Sequence, residues 1–311
     1  MKTILDIVFP VFFLILLGYI TSRYKFLPQE TGHILSNFLF NVSLPCLAFV
    51  NIAPMRPSEI FNLRFFLAFA ITSYLMNLIL FFILHYGFHK SREELALLMM
   101  GGSYTNSTYI GFPVINLIFS TVTPAVMVLF FQSVFLFPVT LFLLDYFQSG
   151  NKKISIASFF KIILKNPIIM AYIISVIFSF SRIQIPEFML KPFSMLGSTC
   201  SAIGLFALGF TLHHAEKATL SKDNIKTAIV CSINKIIFMP LLGWTIGKYL
   251  FHLDSWWLSA LTVISMLPTA VNLFVTSQRY RICEVESHWI VIMTTLGFSI
   301  TISGYILLAG I

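Results

Sequence analysis

Thr105–Ser120 (TNSTYIGFPVINLIFS) sets Asn106, Gly111, Pro113 and Asn116 inside an apolar stretch. Leu261–Thr276 (LTVISMLPTAVNLFVT) sets Pro268, Thr269 and Asn272 inside another. Proline in a helix removes a backbone hydrogen bond and clashes with the preceding turn. Where lipid surrounds the helix, that loss is tolerated only if the freed groups are buried in protein or line a wet cavity. The run Gly101–Pro113 (GGSYTNSTYIGFP) adds glycines that permit unwinding. Its Asn, Ser and Thr side chains can bond the main-chain groups that unwinding releases. A helix restarted after such a break presents free amides that attract anions. Small residues also serve tight helix packing, but packing alone does not call for Asn106 and Pro113 together. Thr269 and Asn272 are three residues apart on a helix and can face one cavity. Asn106, Asn116 and Asn272 are therefore expected to converge as neutral donors for a carboxylate, avoiding the cost of a buried charge.

Lys235 is the most deeply placed charge by sequence, about ten residues into its apolar segment and beside Asn234. Two readings stand side by side: a substrate contact, or a structural pair with a partner such as Asp145. Asn37 and Asn41, one turn apart before Pro45, fit helix–helix hydrogen bonding as well as cavity lining.

The elements that must position these residues are membrane spans. The 311 residues are 58% hydrophobic and 10% charged, against about 25% charged in a soluble domain. Ten apolar segments can be drawn, at roughly 4–22, 32–53, 62–86, 95–120, 123–147, 159–180, 188–212, 225–250, 256–278 and 286–309. The first reads as a span rather than a removed signal, because no small-residue cleavage site follows it. The formal charge of +8 does not mark a nucleic-acid binder, since the basic residues sit in short loops between apolar runs. Alternate loops carry thirteen Lys and Arg on one side and six on the other. The richer side reads as cytoplasmic, which puts both termini on the outer face of the membrane.

Proline spacing suggests a repeat. Pro10 to Pro28 is 18 residues and Pro167 to Pro186 is 19; Pro28 to Pro113 is 85 and Pro186 to Pro268 is 82. The expected organisation is a first five-helix repeat over 1–147, a cytoplasmic connecting loop over 148–158 and a second repeat over 159–311. Five spans per half force the second half to enter the membrane in the opposite sense. Inverted repeats with matched interrupted helices are a feature of secondary transporters. Signatures of a zinc protease, a serine hydrolase elbow and a nucleotide-binding loop are missing. The four cysteines have neither a disulfide nor a metal spacing. No enzyme, no cofactor and no metal is expected.

The chain resembles the auxin efflux carrier family over nearly its full length. The residues that carry the resemblance are Asn41–Pro45 (NVSLP), Asn106-x4-Gly111-x-Pro113, Lys165-Asn166-Pro167, Leu208-Gly209, Lys235 with Pro240, and Met266-Leu267-Pro268-x3-Asn272. Their order and spacing are more specific than any one of them. The resemblance implies an all-α polytopic protein with ten transmembrane helices in two inverted five-helix repeats. It implies broken helices 4 and 9 crossing at Pro113 and Pro268, and a homodimer. It also implies a scaffold part (spans one, two, six and seven) and a transport part (the rest) that move past each other like an elevator. Family substrates are carboxylate anions, auxin in plants and malonate- or malate-like acids in bacteria. Asn106 takes the place of the substrate-contacting asparagine.

Some plant members carry a carboxylate in the third span, but Phe61–Phe88 holds no Asp or Glu here. The short connecting loop is of the bacterial kind. The expectation is a secondary carrier of a small carboxylate anion, bound by Asn106, Gly111, Pro113, Asn116, Pro268, Thr269, Asn272 and Lys235. The rivals are a sodium-coupled organic anion symporter and a membrane sensor that binds an acid without moving it.

Overall fold

The computed structural model describes residues 2–54, 62–148, 167–181, 185–215 and 221–309. The expected connecting loop 148–158 therefore lies outside the described residues, apart from Gln148. Among the described residues there are fifteen α-helices and no strand. In chain order they are α1 (Lys2–Arg23), α2 (Thr31–Phe38), α3 (Leu44–Ile52), α4 (Leu63–Phe82), α5 (Arg92–Ser103), α6 (Phe112–Phe119), α7 (Thr123–Phe131) and α8 (Phe137–Gln148). Then come α9 (Pro167–Ser181), α10 (Glu187–Ala215), α11 (Lys222–Ile233), α12 (Met239–Thr245), α13 (Ser255–Met266), α14 (Asn272–Tyr280) and α15 (Glu284–Ala309).

Several of these join into longer rods through wide π-turns. Among the described residues, six rods are long and apolar enough to cross a membrane: Thr31–Ile52, Leu63–Gly87, Thr123–Gln148, Glu187–Thr211, Lys222–Leu250 and Glu284–Tyr305. In hydrocarbon every main-chain group needs an internal partner, and helices supply it within one segment. The chain is a multi-pass membrane protein.

Four prolines follow one local rule. A five-residue π-turn occupies Leu39–Ser43, Ser107–Gly111, Gln132–Leu136 and Asn234–Phe238. Pro45, Pro113, Pro138 and Pro240 each stand two residues after such a turn. The widened turn moves the carbonyl that the pyrrolidine ring would strike and absorbs the missing N–H. This corrects the reading of Pro113 as the point of the break. Pro113 lies in the first turn of α6, and helical structure fails earlier, at Tyr104–Asn106.

The matching features of the two broken rods are elsewhere. Ile83–Gly87 and Ile246–Leu250 are both π-turns. Each is followed by a left-handed histidine, His89 at φ 51° and His252 at φ 47°. Ser91 and Asp254 then cap α5 and α13 through their side chains. Both capped helices have 12 residues. The short helices beyond the breaks end in Ser120 at φ 55° and Arg281 at φ 57°. In this alignment the partner of the Pro268 region is Thr105, not Pro113, so the two prolines do not mark equivalent positions.

Packing sorts the helices into two groups. One contains α1, α2, α3, α9 and α10, with α1 along α10 and α3 against both α9 and α10. The α1–α10 approach is close enough that a Cβ at Gly209 would collide with the Ile15 carbonyl oxygen. The other group contains α4, α5, α7, α8 and α11–α15. Arg279 on α14 reaches across to Asn37 on α2 at 3.4 Å, so Asn37 takes part in a helix–helix bond.

Candidate functional site

The two breaks are bonded to each other through main chain. Asn106 N–H donates to the Pro268 carbonyl at 2.8 Å, and Ala270 N–H donates to the Tyr104 carbonyl at 3.1 Å. Thr105 and Thr269 thereby form an isolated antiparallel bridge. Two unwound segments thus satisfy in each other what unwinding took from their helices. Gly111 permits this approach: a Cβ there would stand 2.9 Å from Leu267 Cδ1 and 3.2 Å from the Asn106 carbonyl oxygen. Its own N–H donates to that carbonyl at 2.9 Å.

Side chains satisfy the rest. The Gln132 amide, oriented by its neighbours, reads Thr105 from both sides. Its oxygen accepts from Thr105 N–H (2.6 Å) and Oγ1 (2.8 Å), and its nitrogen donates to the Thr105 carbonyl and to Ser107 Oγ (both 3.1 Å). Gln132 acts as a one-residue substitute for a neighbouring strand. On the second break, Thr269 Oγ1 donates to the Gly101 carbonyl at 2.6 Å, and Thr294 Oγ1 accepts from Thr269 N–H at 3.1 Å.

The helix ends divide by sign. α5 and α13 arrive at the breaks with their carbonyl ends. Ala270 N–H and Thr269 Oγ1 occupy two carbonyls of the α5 end. At the α13 end, Lys235 Nζ donates to the Ser265 carbonyl at 3.0 Å and to Met239 Sδ at 3.1 Å. A cation at a helix C-terminus offsets the negative end of its dipole. Lys235 is fully buried, and no salt bridge to it occurs among the described residues. The expected pair with Asp145 is not formed: Asp145 Oδ1 accepts from the Tyr280 hydroxyl at 2.9 Å instead. Asp145 stands near the far end of α8, while the ammonium is held at the break.

The amide ends behave oppositely. Ser107, where helical structure resumes, and Asn272, the first residue of α14, both line one cavity. Asn106, Thr105, Tyr104, Gln132 and Ala270 line it on the same side, with Leu129. Leu44, Leu47, Ala48 and Asn51 of α3 and Tyr172 of α9 close it from the other packing group. It encloses about 30 Å³, room for about one water molecule. None of its lining residues carries a charge. The buried Tyr104 hydroxyl has Asn272 and Ser133 as its side-chain partners.

Of the residues expected to bind, the structure brings Asn106 and Asn272 to this cavity. Pro268, Thr269 and Gly111 build the main-chain junction beside it. Pro113 belongs to the first turn of α6, two residues past the π-turn. Asn116 is exposed on α6, and its place is outside the cavity lining, as is that of Lys235. Gln132 and Tyr172 were not singled out from sequence. A glutamine inside the apolar run FFQSVF was the available signal for Gln132, since a lone amide in a span must find a partner.

A second polar cluster joins Lys90 and Glu94, near the start of α5, to the first turns of α11 and α15. Lys90 Nζ lies 3.4 Å from Glu94, 3.3 Å from Glu286 and 3.9 Å from Asp223. Burial pulls the Lys90 ammonium down, but Glu286 and Glu94 outweigh it and hold its pKa above the ordinary value. For Glu94, burial pushes the carboxyl up, while the Ser91 amide and Lys90 bring it below its ordinary value. Ligand atoms of Glu94, Cys283 and Glu286 lie within 4.8 Å of one another. Lys90 already supplies the positive charge there, so the cluster is a rim ion network.

Comparison with known proteins places the chain among transporters. A family model described as "Membrane transport protein" matches residues 3–306. A Rhizobium meliloti (strain 1021) protein described as "Putative malonate transporter" is 24% identical over 312 residues, covering 99% of this chain and 96% of its own. The "Uncharacterized transporter YfdV" of Escherichia coli (strain K12) is 23% identical over 302 residues, covering 94% and 93%. The "Uncharacterized transporter MJ1031" of Methanocaldococcus jannaschii is 27% identical over 318 residues, covering 98% and 99%.

Proposed function

The chain belongs to the membrane transport protein family, the auxin efflux carriers it resembles, and on that premise we propose that it is a secondary carrier of small carboxylate anions. The observation that carries this reading is the cavity of Asn106 and Asn272. It lies where two helices present their amide ends, while their carbonyl ends are occupied by Ala270, Thr269 and Lys235. Neutral amide side chains line the cavity with no carboxylate among them, and the carbonyl ends are engaged elsewhere, which suits an anion. The malonate named for the Rhizobium relative is a carboxylate of matching chemistry.

The same residues support an elevator movement. The cavity lies between the two packing groups, α3 and α9 on one side and both breaks on the other. The first group is the scaffold in this reading, and the second carries the bound anion past it. Separating them widens a cavity that is closed to anything larger than water here. The matched π-turns, caps and left-handed ends of the two broken rods favour ten spans in two inverted five-helix repeats. The homodimer, the inner-membrane location and the outward termini belong to the same proposal.

The test is uptake or counterflow of a labelled dicarboxylate in proteoliposomes. Asn106→Ala should abolish it while leaving expression normal. Wild-type flux in that variant would remove Asn106 from the substrate site. The sodium-coupled rival predicts that flux stops when sodium is replaced, and no carboxylate lines the cavity to hold such an ion. Saturable binding without flux would favour the sensor.

A further inference from the structure

A second space opens at the end of α5 away from the break. It holds about 420 Å³, far more than the cavity at the breaks and enough for a sizeable organic ligand. It lies between α5, the last turns of the α4 rod and the last turns of α8. α4 ends, α5 begins and α8 ends at this one side of the bundle. It is the side on which Lys and Arg are the more numerous.

Its lining changes character with depth. Along α5 the groove runs from Arg92 to Met99, seven residues or about 10 Å of helix. Met99, Phe81 and Leu143 are the deeper lining residues on their three elements, and all are apolar. The polar lining residues, Arg92 and His85, stand at the mouth. The His85 ring is stacked on Phe81, 5.4 Å between centroids, which holds it over the groove wall. Tyr86 beside it is 67% exposed, as befits an aromatic at the headgroup level of a bilayer.

The acidic groups nearby are committed elsewhere. Glu94 accepts from Lys90 and from the Ser91 N–H, Glu286 is paired with Lys90, and Asp145 accepts from the Tyr280 hydroxyl. No carboxylate lines the groove, Glu93 included. Arg92 is exposed and makes no ion pair among the described residues. A free guanidinium at the mouth calls for an oxyanion, and a phosphate suits its fork of donors. The apolar interior calls for hydrocarbon. A soluble anion would satisfy only the mouth, and an uncharged chain only the interior.

We propose that this groove binds one acyl chain of an anionic phospholipid from the adjoining leaflet, with the lipid phosphate on Arg92 and His85. A basic pocket between spans at the headgroup level is the kind of site that holds such a lipid. The groove is separate from the cavity at the breaks, so it stands or falls apart from the carboxylate reading. The first break follows the other end of α5, so the lipid braces the helix that leads to the cavity.

The experiment is a thermal-shift titration of the purified, delipidated full chain in a neutral detergent. The probes are dioleoyl phosphatidylglycerol, dioleoyl phosphatidylcholine and glycerol phosphate. Phosphatidylglycerol should raise the melting temperature saturably. It should bind about fivefold more tightly than phosphatidylcholine with the same chains, and glycerol phosphate should have no effect. Equal responses to the two lipids would overturn the charge match. A response to glycerol phosphate as large as that to the lipid would make this a soluble-anion site and overturn the acyl chain. No response to either lipid would leave the groove to another occupant, and the proposal falls. Arg92→Ala should erase the preference for phosphatidylglycerol. Leu143→Trp, which narrows the apolar interior and keeps Arg92, should weaken phosphatidylglycerol by a similar factor, and it carries the test if Arg92→Ala does not fold. Wild-type lipid binding in a folded variant of either kind would place the lipid elsewhere and overturn the site.

Discussion

At the first break a neutral amide, Gln132, binds the N–H and the carbonyl of Thr105 together; at the second an ammonium, Lys235, binds the carbonyl of Ser265. Both breaks sit in the same sort of rod, a capped 12-residue helix, an unwound link and a short helix. The difference follows from what each must leave free. Gln132 lines the cavity, so a charge in its place would compete with an anion or trap it. Lys235 stands behind the α13 end, where a positive charge offsets the local dipole without touching the ligand space. The pair shows how two interrupted helices of one design use different partners, a neutral amide beside the cavity and a lysine behind it.

Removing the amide clasp should have the largest effect. Gln132→Leu orphans the buried N–H of Thr105, at about 1–3 kcal/mol, while the Thr105 carbonyl keeps the Ser107 N–H at 2.8 Å. A clear fall in melting temperature together with loss of ligand response is expected. A wild-type melt would mean that Thr105 finds other partners and that the clasp is dispensable. Next in size is the contrast between the two cavity asparagines. Asn106→Ala should weaken carboxylate binding by about tenfold or more, and Asn272→Ala by less, a gap measurable by ligand titration. The reverse order would shift the centre of the site from the first break to the second.

Lys235→Met should alter stability little, by about 1 kcal/mol or less. The lost bond to Ser265 is offset by no longer burying an unpaired charge. Anion affinity should nonetheless drop several-fold, because the α13 dipole end is then uncompensated. A large loss of stability with unchanged affinity would make Lys235 a structural bond alone.

The smallest effect belongs to the rim. Glu94 has its pKa held below the ordinary value by Ser91 and Lys90 against the upward push of burial. A depressed carboxyl contributes stability above its unfolded pKa, about 4.3, and that contribution disappears as pH falls through the lower folded value. Glu94→Gln should flatten the acid limb of a melting-temperature profile slightly. The cavity residues offer no carboxylate, so Asn106→Ala should leave that limb unchanged.

Much of the fold was legible because hydropathy is local. Apolar runs of about 20 residues, and polar residues inside two of them, mark spans and interruptions without any tertiary information. Asn106 and Asn272 could be proposed because a neutral amide at a break has few other uses. Pro113 misled for a related reason. Proline signals a disturbed helix, but whether the chain answers with a π-turn or with a full break depends on who can take the freed groups. At Pro113 the helix itself absorbs the disturbance. At Tyr104–Asn106 the second break and Gln132 take them.

The sequence by itself determined a multi-span helical membrane protein, two interrupted segments, a family and the neutral chemistry of the candidate site. Tertiary structure alone decided that Thr105 rather than Pro113 pairs with the Pro268 segment, that Lys235 serves Ser265 rather than Asp145, and that Asn116 faces away. Local pattern sets which backbone groups are released from a helix. The partners that satisfy them come from residues 27 positions away in Gln132, 30 in Lys235 and 168 in the Gly101–Thr269 bond, and only packing brings those together.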